Sequence, residues 1–238
     1  MWILSLKRKN WQPLLLFGAA VLVLNYLAIR FLAADSLENV SLESLRGRQI
    51  AIDPGHGGID TGASGYGVVE KEVTLAIAGK VTALLEKNGA TVFMSRQEDI
   101  DYYTRGKGGK RNDLLTRIEL IEKAKPELFV SIHCNAIKGP EQSGAQVFYS
   151  PKFEVNKQIA ETMQQALKNF PPGNRRQAKQ DMHILILNAI KVPGVLVETG
   201  YLTNKKEATL LADPVYQDQL AEHIVKALAY HFSQNAGQ

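Results

Sequence analysis

From residue 48 to the end of the chain, short continuous apolar runs alternate with stretches of helical periodicity. "QIAID", "ATVFMS", "ELFVSIH", "GAQVFYS", "HILIL" and "GVLVETG" have the length and the β-branched content of buried strands. Between them lie amphipathic segments. "EKEVTLAIAGKVTALLEKNG" places Val73, Ile77, Val81, Leu84 and Leu85 on one helical face and ends at Gly89, a natural C-terminal stop. "NDLLTRIELIEKAK" stops before Pro126, and "FEVNKQIAETMQQALKNF" before Pro171-Pro172-Gly173. "NKKEATLLAD" and "PVYQDQLAEHIVKALAYHF" close the chain as helices. Apolar runs without polar alternation belong to a sheet covered on both faces. The pattern predicts an α/β single domain, a mainly parallel central sheet flanked by helices on both faces, preceded by an N-terminal membrane segment.

The membrane segment is read from Lys7, Arg8 and Lys9 followed, after Pro13, by "LLLFGAAVLVLNYLAI". A basic lead and an apolar run make a signal peptide or a signal anchor. The run is a little short of the roughly 20 residues that span a bilayer. Snorkelling of Arg30 lets Phe31–Ala34 extend it. A poor small-x-small cleavage pattern favours the anchor over cleavage. The expected organisation is residues 1–34 as signal anchor, 35–47 as linker, 48–233 as the catalytic domain and 234–238 as a tail, with the domain exported. The net charge of +4 suits an anionic surrounding, but no basic stripe with interleaved aromatics marks nucleic acid as a partner. Cys134 is the only cysteine, so no intramolecular disulfide supports the fold.

In open α/β sheets, sites collect at the carboxyl ends of strands. His56 stands there in "AIDPGHGG", a stretch that turns from strand to glycine-rich loop. His133 ends "FVSIH", and Glu198 stands in "VLVETG". Glu70 opens the first helix after "GGIDTGASGYG". His56, Glu70 and His133 form a two-histidine, one-carboxylate set suited to Zn2+, and Glu198 is left free to move a proton. Each also has a plainer reading. His56 can be a turn residue, Glu70 a carboxylate favoured by the helix dipole, and His133 a core histidine. Glu198 is hardest to dismiss, because a buried unpaired carboxylate is costly. Cys134 should face away from His133 as a packing residue. Asp53 and Asn135 are read as braces for the loop and the rim. His183, His223 and His231 are read as structural.

"IAIDPGHGG", Glu70 after its loop, "LFVSIHCNA" and "GVLVETGYLTN" together resemble the zinc-dependent N-acetylmuramoyl-L-alanine amidases (Amidase_3) over about residues 48–232. The resemblance implies that His56, Glu70 and His133 bind zinc and that Glu198 is catalytic. It further implies cleavage of the amide joining N-acetylmuramic acid to L-alanine in peptidoglycan. Cys134 and Tyr201 depart from the Ala and Phe common in that family, and neither is an expected ligand. The short N-terminal segment, the absence of wall-binding repeats and the insert "DYYTRGKGGKRNDLLTRIELI" are similar to the germination-specific, CwlD-type subgroup. That subgroup trims stem peptides in spore cortex for muramic-lactam formation. A vegetative autolysin, a zinc peptidase and a non-catalytic wall-binding protein are the alternatives. The last would show a missing ligand or a missing Glu198. An activating partner protein is compatible with any of the catalytic readings.

The segment "DIDYYTRGKGGKRND" reads as a solvated basic loop or as a binding surface. In the second reading Arg105, Lys107, Lys110 and Arg111, with Asn135, contact substrate or a partner.

Overall fold

The computed structural model describes residues 12–103, 109–137, 139 and 142–235. The chain divides into two compact units, Met1–Asn39 and Val40–Gln238. In the first unit, helix α1 runs Gln12–Glu38, and Leu15, Leu16, Phe17, Leu22 and Leu24 on it are exposed. Among the described residues no helix is long and apolar enough to cross a membrane. Residues 1–11, which carry the basic lead of the expected anchor, lie outside the described residues.

The second unit opens with a 3-10 turn at Leu42–Leu45, and Leu45 is buried. Strand β1 (Gln49–Pro54) leads to the hairpin β2 (Ser64–Gly65) and β3 (Val68–Val69), which runs directly into α2 (Glu70–Lys87). Then come β4 (Thr91–Met94), α3 (Gly109–Ala124), β5 (Leu128–Asn135), β6 (Gln146–Tyr149) and α4 (Glu154–Ala166). The chain ends with β7 (Lys179–Gln180), α5 (Leu185–Ala189), β8 (Gly194–Tyr201), α6 (Lys205–Leu211) and α7 (Pro214–Gln234). The main sheet has the order β4-β1-β5-β8-β6-β7.

Alternation along the strands explains why both faces are covered. Ile50, Ile52, Val130, Ile132, Val195 and Val197 pack on one side, with Val73, Ile77 and Val81 of α2, Met163 of α4 and Leu220 and Ile224 of α7. Ala51, Phe129 and Leu196 point to the other side and meet Ile118 and Ile121 of α3 and Ile186 and Leu187 of α5. Each Val, Leu, Ile, Phe or Met among them contributes about 1.5–3 kcal/mol by leaving water. Gly89, with φ 84°, ends α2 as the sequence predicts.

The main sheet is mostly parallel, as expected: β4, β1, β5 and β8 are mutually parallel and β7 pairs parallel with β6, while β6 pairs antiparallel with β8. Among the described residues no helix lies between β5 and β6, and a parallel return needs a crossover of about a dozen residues or more, usually helical. One expectation needs correction: "HILIL" is not a strand. Its apolar residues Leu185, Ile186 and Leu187 open α5, while the strand of that region is the polar, exposed β7 just before it. Asp181 turns the chain there by accepting the backbone N–H groups of His183 (2.7 Å) and Ile184 (2.8 Å). A short apolar run does not by periodicity alone distinguish a strand from a buried helical turn.

Candidate metal centre

The carboxyl ends of β1, β5 and β8 bring the predicted residues to one rim. His56 follows β1 in a tight loop and has φ 62°, a left-handed conformation unusual for a non-glycine residue. A frame of buried arginines holds it there. Arg117 Nη1 donates to the Pro54 carbonyl at 2.6 Å, and Nη2 donates to that of His56. Arg96 donates to the carbonyls of Pro54 (3.0 Å) and Gly55 (2.9 Å). Arg117 is balanced by Asp53 Oδ1 (3.2 Å) and Asp113 Oδ2 (2.8 Å). Asp53 in turn accepts the hydroxyls of Ser95 and Ser131. Burial alone would raise the Asp53 pKa, but the Arg117 charge and the two hydroxyls outweigh it and hold the carboxyl below its ordinary range. Asp53 thus braces the loop as the sequence predicts.

Glu70 is the first residue of α2, whose N-cap residue, Val69, makes no side-chain capping hydrogen bond. Its Oε2 accepts the Ala63 N–H at 2.7 Å and its Oε1 the Cys134 N–H at 3.0 Å. Oε1 also lies 3.1 Å from His56 Nε2 and 3.1 Å from His133 Nδ1. Burial would raise the Glu70 pKa, yet hydrogen bonds and charge from His133 and His56 pull it well below the usual carboxylate range. The two imidazole rings meet edge to face with centroids 5.0 Å apart. One ligand atom from each of His56, Glu70 and His133 lies within 4.8 Å of the others, an arrangement that could hold a metal ion.

The surroundings fit a small cation. A Cβ on Gly55 would stand 2.3 Å from His133 Cε1, and one on Gly62, at φ 66°, would stand 2.5 Å from Glu70 Oε2. Only glycine lets the backbone close this tightly around the three ligands. Glu198 lies opposite His133 in the β5–β8 ladder. Its Oε2 is buried without a hydrogen-bond partner. Burial, reinforced by the Glu70 charge and partly offset by His133, pushes its pKa up to about 7.

The remaining expectations divide. Cys134 is buried on the face opposite His133, with Sγ 3.3 Å from Thr199 Oγ1. Asn135 closes β5 and its carbonyl accepts the Leu202 N–H at 2.8 Å. Lys110 Nζ lies 2.7 Å from Asp60 Oδ1, and Arg111 is exposed on α3. Arg105 and Lys107 lie outside the described residues. His183 sits in the bend before α5, and His223 packs on Phe170 with centroids 4.6 Å apart. Sequence reasoning missed Arg96, Arg117 and Asp60. A signal existed for Arg117, which falls on the same helical face as Ile118 and Ile121. A charge on an apolar stripe needs a buried partner.

Comparison with known proteins gives the family. Residues 50–230 match the Amidase_3 family, described as N-acetylmuramoyl-L-alanine amidase. The germination-specific N-acetylmuramoyl-L-alanine amidase of Bacillus subtilis (strain 168) is 38% identical over 232 residues, 96% of this chain and 97% of that protein. The amidase LytC of the same organism is 33% identical across 91% of this chain, which spans 40% of LytC. Among solved structures, the CwlD amidase of Clostridioides difficile in complex with the GerS lipoprotein superposes with a TM-score of 0.75 at 34% identity. That match covers 79% of this chain and 100% of the other. The catalytic domain of CwlV from Bacillus (Paenibacillus) polymyxa var. colistinus, at 27% identity, gives a TM-score of 0.68 over 78% of this chain and 98% of the other. With most of its length matched by the family and by these relatives, the chain belongs to the Amidase_3 family of N-acetylmuramoyl-L-alanine amidases.

Proposed function

We propose that the protein is a zinc-dependent N-acetylmuramoyl-L-alanine amidase. It acts outside the cytoplasm on peptidoglycan, removing stem peptides from spore cortex. The observation that carries the reading is the convergence of His56, Glu70 and His133 beside the unpartnered Oε2 of Glu198. His56, Glu70 and His133 would hold the ion. Zinc supplies Lewis-acid polarisation of a carbonyl and makes water acidic enough to attack at neutral pH. Glu198 takes the proton of the attacking water and later gives one to the departing alanine nitrogen. Removing the first proton makes the nucleophile, and returning one keeps the amine from leaving as an anion.

The cortex assignment is supported by the likeness to the germination-specific relative, which extends over nearly all of both chains. The complex of the CwlD relative with the GerS lipoprotein supports a protein partner here as well. The basic Lys7-Arg8-Lys9 lead and the apolar run after Pro13 are the sequence features behind an N-terminal membrane anchor. Asn135, Arg105, Lys107, Lys110 and Arg111 are proposed as contacts to substrate or to a partner.

The test is product analysis. Purified full-length protein, loaded with zinc, is incubated with vegetative and with cortex peptidoglycan, and the products are identified by mass spectrometry. Glycan with free lactyl groups plus peptides beginning in L-alanine is the expected result, with cortex the better substrate. Cleavage between two amino acids would make the protein a zinc peptidase instead. Preference for the vegetative wall would move it from the spore to growing cells.

A further inference from the structure

His56 is gripped on both edges of its ring. Nε2 lies 3.1 Å from Glu70 Oε1, and Nδ1 lies 2.9 Å from Asp60 Oδ2. Asp60 divides its oxygens between tasks. Oδ2 faces the imidazole, while Oδ1 lies 2.7 Å from Lys110 Nζ and accepts the Gly62 N–H at 3.3 Å. The Gly57–Asp60 bridge also closes the loop at its base, with N–H to carbonyl distances of 2.9 and 3.0 Å in the two directions. The carboxylate is therefore oriented from two sides before it meets the histidine.

An ionised carboxylate only accepts hydrogen bonds. His56 faces a carboxylate on each edge, but the Asp60 contact is the shorter and Glu70 Oε1 already accepts the Cys134 N–H, so the single proton of the neutral ring goes to Nδ1. The lone pair is then on Nε2, the edge turned to Glu70 and the cluster. Outer carboxylates that fix the tautomer of a ligating histidine also raise its basicity as a ligand. Lys110 belongs to the basic segment singled out in the sequence, and its contact in the fold is with this outer carboxylate.

We infer that Asp60 is a positioning residue of the metal centre, holding His56 in the Nδ1–H tautomer so that Nε2 is free to bind the ion. The inference rests on the reading of His56, Glu70 and His133 as metal ligands. Asp60 touches neither substrate nor ion, and its effect passes through His56.

The experiment measures zinc affinity of the full-length protein by chelator competition, and the His56 tautomer by NMR of histidine-labelled, metal-free protein. Asp60→Ala should weaken zinc binding by about 10–100-fold. It should also move His56 away from the Nδ1–H form. Asp60→Asn can still turn its carbonyl towards Nδ1, and it should recover most of the affinity and the tautomer. Lys110→Met breaks the exposed ion pair but leaves the His56 contact, so its loss should be about threefold at most. Unchanged affinity and tautomer in Asp60→Ala would overturn the inference. So would a loss in Lys110→Met as large as that in Asp60→Ala, because the ion pair rather than the imidazole contact would then carry the effect. If the unaltered protein binds no zinc, the metal reading itself fails, and the tautomer measurement still decides the role of Asp60.

Discussion

The two halves of the centre are held by different means. His133 and Glu198 stand on adjacent parallel strands, opposite one another in the ladder. Backbone pairing and the apolar residues around Val130, Ile132, Val195 and Val197 set their spacing, so few other groups are needed. His56 stands on a loop with a left-handed backbone, and its conformation depends on charged side chains from far along the chain. Arg117, Arg96 and Asp53 are each almost fully buried, and the two arginines between them satisfy three consecutive carbonyls from Pro54 to His56. The strand half should tolerate a change of side-chain chemistry without moving. The loop half should lose its shape when its polar frame is cut.

The largest effect should come from the strand half, and it should be purely chemical. Glu198→Gln keeps the size of the side chain and the register of β8. It removes the group that takes and returns the proton. Turnover should fall by about 10²–10⁴-fold. Bound zinc, measured on the same sample, should stay near one per chain. An active variant would remove Glu198 from the mechanism. Loss of zinc would mean that the strand half is less rigid than its pairing implies.

Cutting the frame should act on stability instead. Arg117→Met leaves Asp53 buried without its cation, removes the donor to the His56 carbonyl and leaves that of Pro54 to Arg96 alone. Breaking a buried charge network in this way costs about 3–5 kcal/mol. Ser131→Ala removes one hydroxyl from the same aspartate but sits within β5, and should cost about 1 kcal/mol. Urea unfolding of the two variants measures the contrast. Equal losses would show that the frame is no more than another part of the core.

The same asymmetry decides what could be read from the sequence. His133 and Glu198 are polar residues at the ends of apolar runs, and strand alternation alone separates His133 from the buried Cys134. His56 and Glu70 border a glycine-rich loop, which marks them as candidates. The frame was not legible, because Arg117 meets Asp53 across 64 positions and Arg96 meets Pro54 across 42. No local pattern encodes contacts of that separation, and only the placement of Arg117 on an apolar helical stripe hints at one. The helix at "HILIL" was hidden for a different reason. Its first turn is set by the Asp181 side chain, whereas its apolar content suits a strand equally well. The antiparallel direction of β6 was available from the missing helix between β5 and β6.

Titration gives the two halves opposite signs. Asp53 has a lowered pKa in the folded protein, so its contribution is complete above the unfolded value and is lost as pH falls through the folded one. Glu198 has a raised pKa, about 7 against an ordinary glutamate value of 4.5. Its neutral form is the one the metal-free fold prefers, so that fold loses stability as pH rises between those two values. Metal-free protein should therefore be most stable in mildly acidic solution, weakening below it through Asp53 and above it through Glu198. Glu198→Gln should shrink the alkaline arm to the part that His133 contributes through its own raised pKa, and leave the acid arm, as thermal melts across pH would show. An unchanged alkaline arm would mean that another group produces it.

The smallest effect tests whether the loop is held from inside or from outside. Asp99 latches it at the surface: Oδ1 accepts the Gly58 N–H at 2.8 Å and Oδ2 meets Lys71 Nζ at 2.6 Å. The side chain of Asp99 is 54% exposed, so water and salt compete with both contacts. Asp99→Asn retains an acceptor for Gly58, and Lys71 still donates to the Gly58 carbonyl at 2.9 Å. The loss should be about 1 kcal/mol or less, the scale of exposed ion pairs, and should shrink further at high salt. Zinc affinity should change little, because the buried arginines still hold the carbonyls on either side of Gly55. A loss as large as that of Arg117→Met, or one that persists in high salt, would locate the restraint on His56 at the surface. The contrast between a strand half set by register and a loop half set by a buried frame would then no longer hold.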